Sequence, residues 1–243
     1  MPEEELFAWA KLTRSLRVVG VRPGDGYHLI DAEMVSLDLA DSLFVDAGGV
    51  DTLPADDLVS RALVAVGRSA AVRVVKRIPA GAGLGGGSAD AAAILRWAGC
   101  TSVEVAAGLG ADVPFCLVGG GRARVSGIGE VVVPLPAEDR VFTLLTPPVH
   151  VSTPAVYRAW DALGGPTRVA GGNDLLPAAL AVEPSLVRWR DGLAAATGIE
   201  PRLAGSGGTW FVEGAFPGLE VGGVRAVVAR TRSDRPAGRP SSD

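Results

Sequence analysis

The stretch from 79 to 93, PAGAGLGGGSADAAA, puts five glycines into the seven positions 81–87 and then turns into an alanine-rich helical pattern. A strand, a glycine-rich turn and a helix start together aim several free backbone N–H groups at one spot, where the helix dipole also favours negative charge. That arrangement is an anion site, and phosphate is the expected anion. Gly81, Gly83, Gly85, Gly86 and Gly87 carry no Cβ to hold oxygens off, and the Ser88 hydroxyl can reach a phosphate or its magnesium. The loop is not a Walker A motif, because no lysine follows its last glycine. A GxGxxG spacing can be traced from Gly81 to Gly86, but no acidic ribose ligand closes a following strand, so a dinucleotide site is not expected.

Phosphoryl transfer needs a group that polarises or deprotonates a hydroxyl and a cation that stabilises the moving charge. Lys11 and Lys76 are the only lysines, and Lys11 stands in an otherwise apolar strand pattern, where an ammonium is costly without a carboxylate or phosphate partner. Asp112, in GADVPF, is the best candidate partner. Taken singly, Lys11 also suits a snorkelling edge-strand lysine and Asp112 a turn or cap carboxylate; the glycine loop favours the functional pairing. Tyr27 and His28, in DGYH, offer an aromatic face and a ring nitrogen suited to stacking on a pyrimidine and reading its edge.

These residues need elements to hold them. From Leu6 to Val45 the pattern is short strand-like runs (FAWAKL, SLRVVGV, HLIDAEMVSLDL, SLFVDAG) broken by RPGDGY. DDLVSRALVAVG reads as a helix ending on Gly67, and AVRVVKRIP as a strand that delivers the chain to the glycine loop. After the loop, SADAAAILRWAG predicts a helix with Ser88 as N-cap and Asp90 in its first turn, and Thr101 with Glu104 predicts a capping box for a second short helix. RARVSGIGEVVVPLP reads as a hairpin, RVFTLLTPP as a strand, and STPAVYRAWDAL as a helix with Pro154 in its first turn. More helix is expected across NDLLPAALAVEPSLVRWRDGLAAATG, then strand, glycine turn and strand in PRLAGSGGTWFVEG, and a last strand in GVRAVVARTR.

With 243 residues, 48 % hydrophobic and 21 % charged, the chain is expected to fold as two modest domains, residues 1–137 and 138–232, with a disordered polar tail over 233–243. A net charge of −4 with scattered arginines argues against nucleic acid as a partner. Three acidic residues near the start and the absence of a long apolar run predict a cytoplasmic protein that does not engage a membrane. Cys100 and Cys116 build no disulfide framework, and neither His28 nor His150 has zinc-ligand spacing to a partner.

PAGAGLGGGSADAA resembles the phosphate-binding motif of the GHMP kinases. AWAKL, RPGDGYHLID, GADVPF, Asn173–Asp174 and LAGSGGTWF follow in the order of the branch that phosphorylates a cytidylated sugar alcohol, methylerythritol, for the non-mevalonate isoprenoid pathway. The likeness runs from about residue 7 to 230. It implies an α+β fold in two parts, an N-terminal domain like the second domain of ribosomal protein S5 and a ferredoxin-like C-terminal domain, with the site in the cleft between them. It implies ATP and Mg2+ as cofactors, a small-molecule substrate, and a monomer or weak homodimer. By the resemblance Asp112 is general base toward the 2-hydroxyl and Lys11 its ion-pair partner. Pro79, Gly81, Gly83, Leu84, Gly85, Gly86, Gly87, Ser88 and Ala89 hold ATP phosphates, with Ser88 also facing magnesium. Tyr27, His28, Thr13 and Tyr157 bind the cytidyl substrate, and Gly205, Ser206, Gly207 and Gly208 form a second glycine loop. The chain departs from the family in Thr13, where asparagine is usual, in Arg14, and in Asp57, where asparagine lies near the nucleotide. The neighbouring alternatives are a GHMP homologue with another substrate and a nucleotide-binding module without catalysis.

Overall fold

The computed structural model describes residues 3–118 and 120–232; the tail expected to be disordered lies outside them. Two long strands, β1 (Glu4–Val21) and β2 (His28–Asp46), form an antiparallel ribbon around which the first half is built. The expected separate runs are therefore continuous strands, and their irregularities are bulges, at Arg14 and Val19 in β1 and across Leu37–Leu39 in β2. Bulges bend a ribbon without ending it. β3 (Ala71–Val75), β4 (Arg122–Gly127) and β5 (Val131–Pro134) complete a five-stranded sheet of order β1-β2-β4-β5, with β3 on the far stretch of β2. Every ladder in it is antiparallel.

Helices α1 (Leu58–Ala65), α2 (Gly86–Trp97), α3 (Val103–Leu109) and α4 (Val113–Val118) pack with the first half of β1. The alanine run of α2 explains its closeness: Ala89, Ala91, Ala92 and Ala93 are all buried, and small side chains let backbones approach. Two expected caps are corrected. Ser88 is not the N-cap of α2; the helix starts at Gly86 after Gly85, which takes the left-handed conformation at φ 70°. Only glycine adopts that angle without strain, so the helix begins earlier than the serine suggests. The cap of α3 is Ser102, whose Oγ accepts from Val105 N, rather than the Thr101–Glu104 box. The α4 helix, in VPFCL, had no capping signal to reveal it.

The second half contains a four-stranded antiparallel sheet of order β11-β6-β8-β7, from β6 (Val141–Leu145), β7 (Arg202–Leu203), β8 (Trp210–Glu213) and β11 (Val227–Arg230). Helices α5 (Thr153–Ala162), α6 (Leu176–Val182) and α7 (Leu186–Thr197) flank it, and β9 (Glu220–Val221) and β10 (Val224–Arg225) form a small hairpin. The two sheets share apolar cores. Leu12, Val35 and Leu37 pack with Phe142, Leu144 and Phe211, and Leu16, Ile30 and Met34 share a cluster with Trp160, Trp189 and Trp210. Backbone bridges from Leu16 to Asn173 and from Leu37 to Thr231 add to the seam. The halves are thus held in register by packing, which removes large apolar areas from water.

Candidate active site

The glycine loop hangs from strand β1. Lys11 N donates to Leu84 O at 2.9 Å, so the strand that carries Lys11 also grips the loop. Gly81, Gly83 and Gly85 all have positive φ. The first intrahelical bond runs from Ala89 N to Gly85 O, which leaves the N–H groups of Gly86, Gly87 and Ser88 without intrahelical partners at the positive end of the twelve-residue α2. A Cβ on Gly85 would lie 2.7 Å from Lys11 Cγ, so that glycine makes room for the lysine stem. Pro79 and Gly81 are exposed at the loop's outer turn, and Ala89 is buried beneath it.

The second glycine loop, Gly205–Gly208, interlocks with the first. A Cβ on Gly83 would stand 2.6 Å from Gly207 O, and one on Gly208 would stand 2.8 Å from Gly81 O. Asn173, buried between them and the sheet, donates to Leu203 O at 2.9 Å and Gly205 O at 2.7 Å and accepts from Leu175 N. Its neighbour Asp174 accepts from Arg17, Val18 N and Val169 N. The Asn-Asp pair is therefore a clamp joining β1 to the second glycine loop, a role its sequence did not disclose. Ser206 Oγ reaches Thr153 Oγ1 at 2.7 Å, tying the loop to the start of α5.

Lys11 and Asp112 meet. Lys11 Nζ lies 3.1 Å from Asp112 Oδ2 and donates to Thr13 Oγ1 at 3.1 Å. Asp112 sits just before α4, and its carbonyl accepts from Cys116 N. Burial, with Asp112's charge next, pushes the Cys116 thiol up to about 12, so it stays protonated beside the pair.

A cleft of about 840 Å³ is lined by Gly83 of the first glycine loop, by Gly205 and Ser206 of the second, and by Lys11 and Asp112. Tyr27, His28 and Tyr157 line it as well. His28 stacks on Tyr157 with ring centroids 4.7 Å apart and meets Trp160 edge-on, while its Nε2 lies 2.8 Å from Asp161 Oδ1. Burial pushes the Tyr157 hydroxyl up to about 12, with a smaller push from Asp112. Tyr27 is exposed, its ring under the Arg22 guanidinium, which in turn pairs with Asp25. The Arg22 pair holds the Asp25 carboxyl below its ordinary value.

A second opening, about 360 Å³, lies on the other side of the α2 start between Asp56, Asp57, Leu58, Gly87 and Asp90. Asp57 Oδ1 accepts from Val59 N at 2.8 Å, so this carboxylate caps α1. Beneath it, Lys76 Nζ lies 2.5 Å from Asp41 Oδ2 and 2.7 Å from Asp90 Oδ2. Asp41 also accepts from Arg77 N and Ile78 N, which turns the chain out of β3 and into the glycine loop. Burial raises the Asp90 carboxyl to about 6 despite its lysine partner. The lone second lysine was the available signal for this cluster; its partners, far along the chain, had none.

The GHMP kinases N terminal domain family matches residues 57–120. A 4-diphosphocytidyl-2-C-methyl-D-erythritol kinase from Ruegeria pomeroyi is 39 % identical over 254 aligned positions, covering 88 % of each chain. One from Paramagnetospirillum magneticum is 35 % identical over 94 % of this chain and 93 % of the relative. A crystal structure of 4-(cytidine 5'-diphospho)-2C-methyl-D-erythritol kinase superposes with a TM-score of 0.74 at 29 % identity, over 94 % of this chain and 99 % of the other. With that identity over nearly its whole length, and with Gly83, Gly205 and the Lys11–Asp112 pair lining one cleft, the chain belongs to the 4-diphosphocytidyl-2-C-methyl-D-erythritol kinase family of GHMP kinases.

Proposed function

We propose that this protein transfers the γ-phosphoryl group of ATP to the 2-hydroxyl of 4-diphosphocytidyl-2-C-methyl-D-erythritol, a step of non-mevalonate isoprenoid precursor synthesis. The observation that carries the reading is the Lys11–Asp112 pair in one cleft with Gly83 of the glycine loop and the His28–Tyr157 stack. Asp112 accepts the hydroxyl proton as the oxygen attacks, and Lys11 pairs with Asp112 and offsets charge on the transferring group. Thr13 orients the Lys11 ammonium through its hydroxyl. Gly83–Ser88 hold phosphate oxygens through backbone N–H groups, on a surface that a Cβ would obstruct. Tyr27, His28 and Tyr157 hold the cytosine, and Gly205–Gly208 close the cleft from the second half.

The donor set suits magnesium that arrives with the nucleotide. Among the described residues no group of three or more His, Cys, Asp or Glu side chains could hold a metal ion, while Ser88 stands in the first turn of α2 beside the phosphate cradle. When bound, Mg2+ supplies neutralising charge to the phosphates. Among the described residues no helix is long and apolar enough to cross a membrane. We further infer that the chain works as two lobes divided near residue 137, as a monomer or weak homodimer in the cytoplasm.

Release of ADP from ATP, measured with and without the cytidylated alcohol, tests the reading. Substrate-dependent ADP release is the expected result. Nucleotide binding with no ADP release under either condition would instead make the chain a binding module.

A further inference from the structure

The His28–Asp161 contact has no place in the chemistry above, yet it decides what the imidazole can offer to a ligand. Asp161 lies on α5 one turn beyond Tyr157 and two beyond Thr153, so the three share a helical stripe, of which Thr153 and Tyr157 line the cleft. An ionised carboxylate has no proton to give, so the 2.8 Å contact requires the proton on His28 Nε2. The ring is then held on three sides, by Tyr157 on its face, Trp160 at its edge and Asp161 at Nε2. Among the described residues no protein group hydrogen-bonds Nδ1, and it is not a buried unpartnered atom, so this nitrogen is open to a ligand in the cleft that His28 lines.

We propose that Asp161 is a positioning residue for base selection: in the neutral ring it fixes the proton on Nε2 and the rotation of His28, which leaves Nδ1 an acceptor and so favours a base that presents an amine over one that presents a carbonyl. Cytosine carries an exocyclic amine at the position where uracil carries an oxygen. An acceptor nitrogen completes a hydrogen bond with the first and faces the second with lone pair against lone pair. The orienting partner matters because an unconstrained imidazole can exchange its tautomer and donate to the carbonyl instead. The proposal rests on the reading of this cleft as the cytidyl site and adds to it the residue that enforces the choice.

The test compares the cytidylated alcohol with its uridine counterpart in wild type, Asp161→Ala and Asp161→Glu, alongside nitrogen-15 NMR of the histidine rings. The chain has two histidines, so a His150→Gln variant assigns the spectrum. Asp161 is half exposed on a helix surface, and alanine is a stronger helix former, so the fold should survive the change. Wild type should show a protonated Nε2 with an observable ring proton. Asp161→Ala should lose that proton signal to exchange, raise KM for the cytidyl substrate about five-fold, and lose preference over the uridine analogue by a similar factor. Its kcat and KM for ATP should stay within about two-fold. Asp161→Glu, which keeps the carboxylate, should recover most of the preference. A wild-type ring protonated at Nδ1, or unchanged base preference in Asp161→Ala, would overturn the role of Asp161 alone. Absence of wild-type turnover of the cytidylated alcohol would overturn the underlying functional reading and this proposal with it.

Discussion

Lys11 Nζ lies 3.1 Å from Asp112 Oδ2, and the lysine is the more buried partner, with 6 % of its side chain exposed against 33 % for the aspartate. The ammonium therefore depends on Asp112 and on the Thr13 hydroxyl for what water would otherwise supply, while the carboxylate keeps an open side toward the cleft. That asymmetry fits a base presented to substrate and a cation held behind it. Asp112→Asn, which keeps shape and removes the proposed base, should lower kcat by ~10²–10⁴ with little change in substrate binding. Lys11→Met should be comparably damaging, and the double variant no worse than the poorer single one, because the two act as a unit. Steady-state kinetics on the folded variants decides the matter. Near wild-type turnover by Asp112→Asn would favour direct transfer without a protein base.

The interlocked glycine loops make a prediction about space rather than chemistry. Gly83 and Gly99 both have positive φ, near 76° and 75°, so alanine at either costs ~1–2 kcal/mol of backbone strain. Gly99 has nothing within 4 Å of its would-be Cβ, whereas Gly83 faces Gly207 O at 2.6 Å and Ala204 O at 3.1 Å. Gly83→Ala should therefore lower Tm clearly more than Gly99→Ala and should also weaken ATP binding. Equal losses of Tm would show that the loops can separate at no cost.

Asn173 should prove a structural keystone of the cleft. Its amide donates to two buried carbonyls and its oxygen accepts a buried N–H, so Asn173→Ala leaves these groups unpaired at a cost on the order of 3 kcal/mol. Asn173→Asp is nearly isosteric but has no donor, and it sets a carboxylate against two carbonyl oxygens. It should be no milder than alanine. Urea unfolding midpoints check both, and a fully stable Asn173→Asp protein would contradict the assignment of the amide.

Asp90 links stability to pH. Its carboxyl is raised by burial to about 6 from an ordinary 3.8, so between those values the folded chain holds a proton that the unfolded chain has released. The stability this confers is full below about pH 4 and is lost as pH rises through 6, a change of about 3 kcal/mol. Asp90→Asn should abolish that slope while Asp41 continues to neutralise Lys76. Unfolding free energies measured at several pH values between 4 and 7.5 should fall in wild type relative to the variant. Parallel profiles would show that Asp90 titrates normally.

Local anomalies of composition were legible in the sequence alone. Five glycines in seven positions announce a backbone built for an anion, and a lysine within an apolar strand needs a partner. The order of elements was legible too, since periodicity and turn residues report on neighbours a few positions away. The start of α2 lies before the serine because Gly85 takes the left-handed conformation and lets the helix begin at Gly86, with no side chain capping its first N–H groups.

The sequence by itself determined that a strand, a glycine loop and a helix follow one another, and it made phosphate the expected ligand of the loop and Lys11 and Asp112 candidates to meet. Tertiary structure alone decided that they do meet, that the second glycine loop locks into the first, that Asn173 clamps it, and that Asp161 takes hold of His28 from 133 residues away. The physical reason is range. Propensity and periodicity act over a few residues, whereas a hydrogen bond, an ion pair or a would-be Cβ contact depends on which distant segments the shared apolar cores bring together.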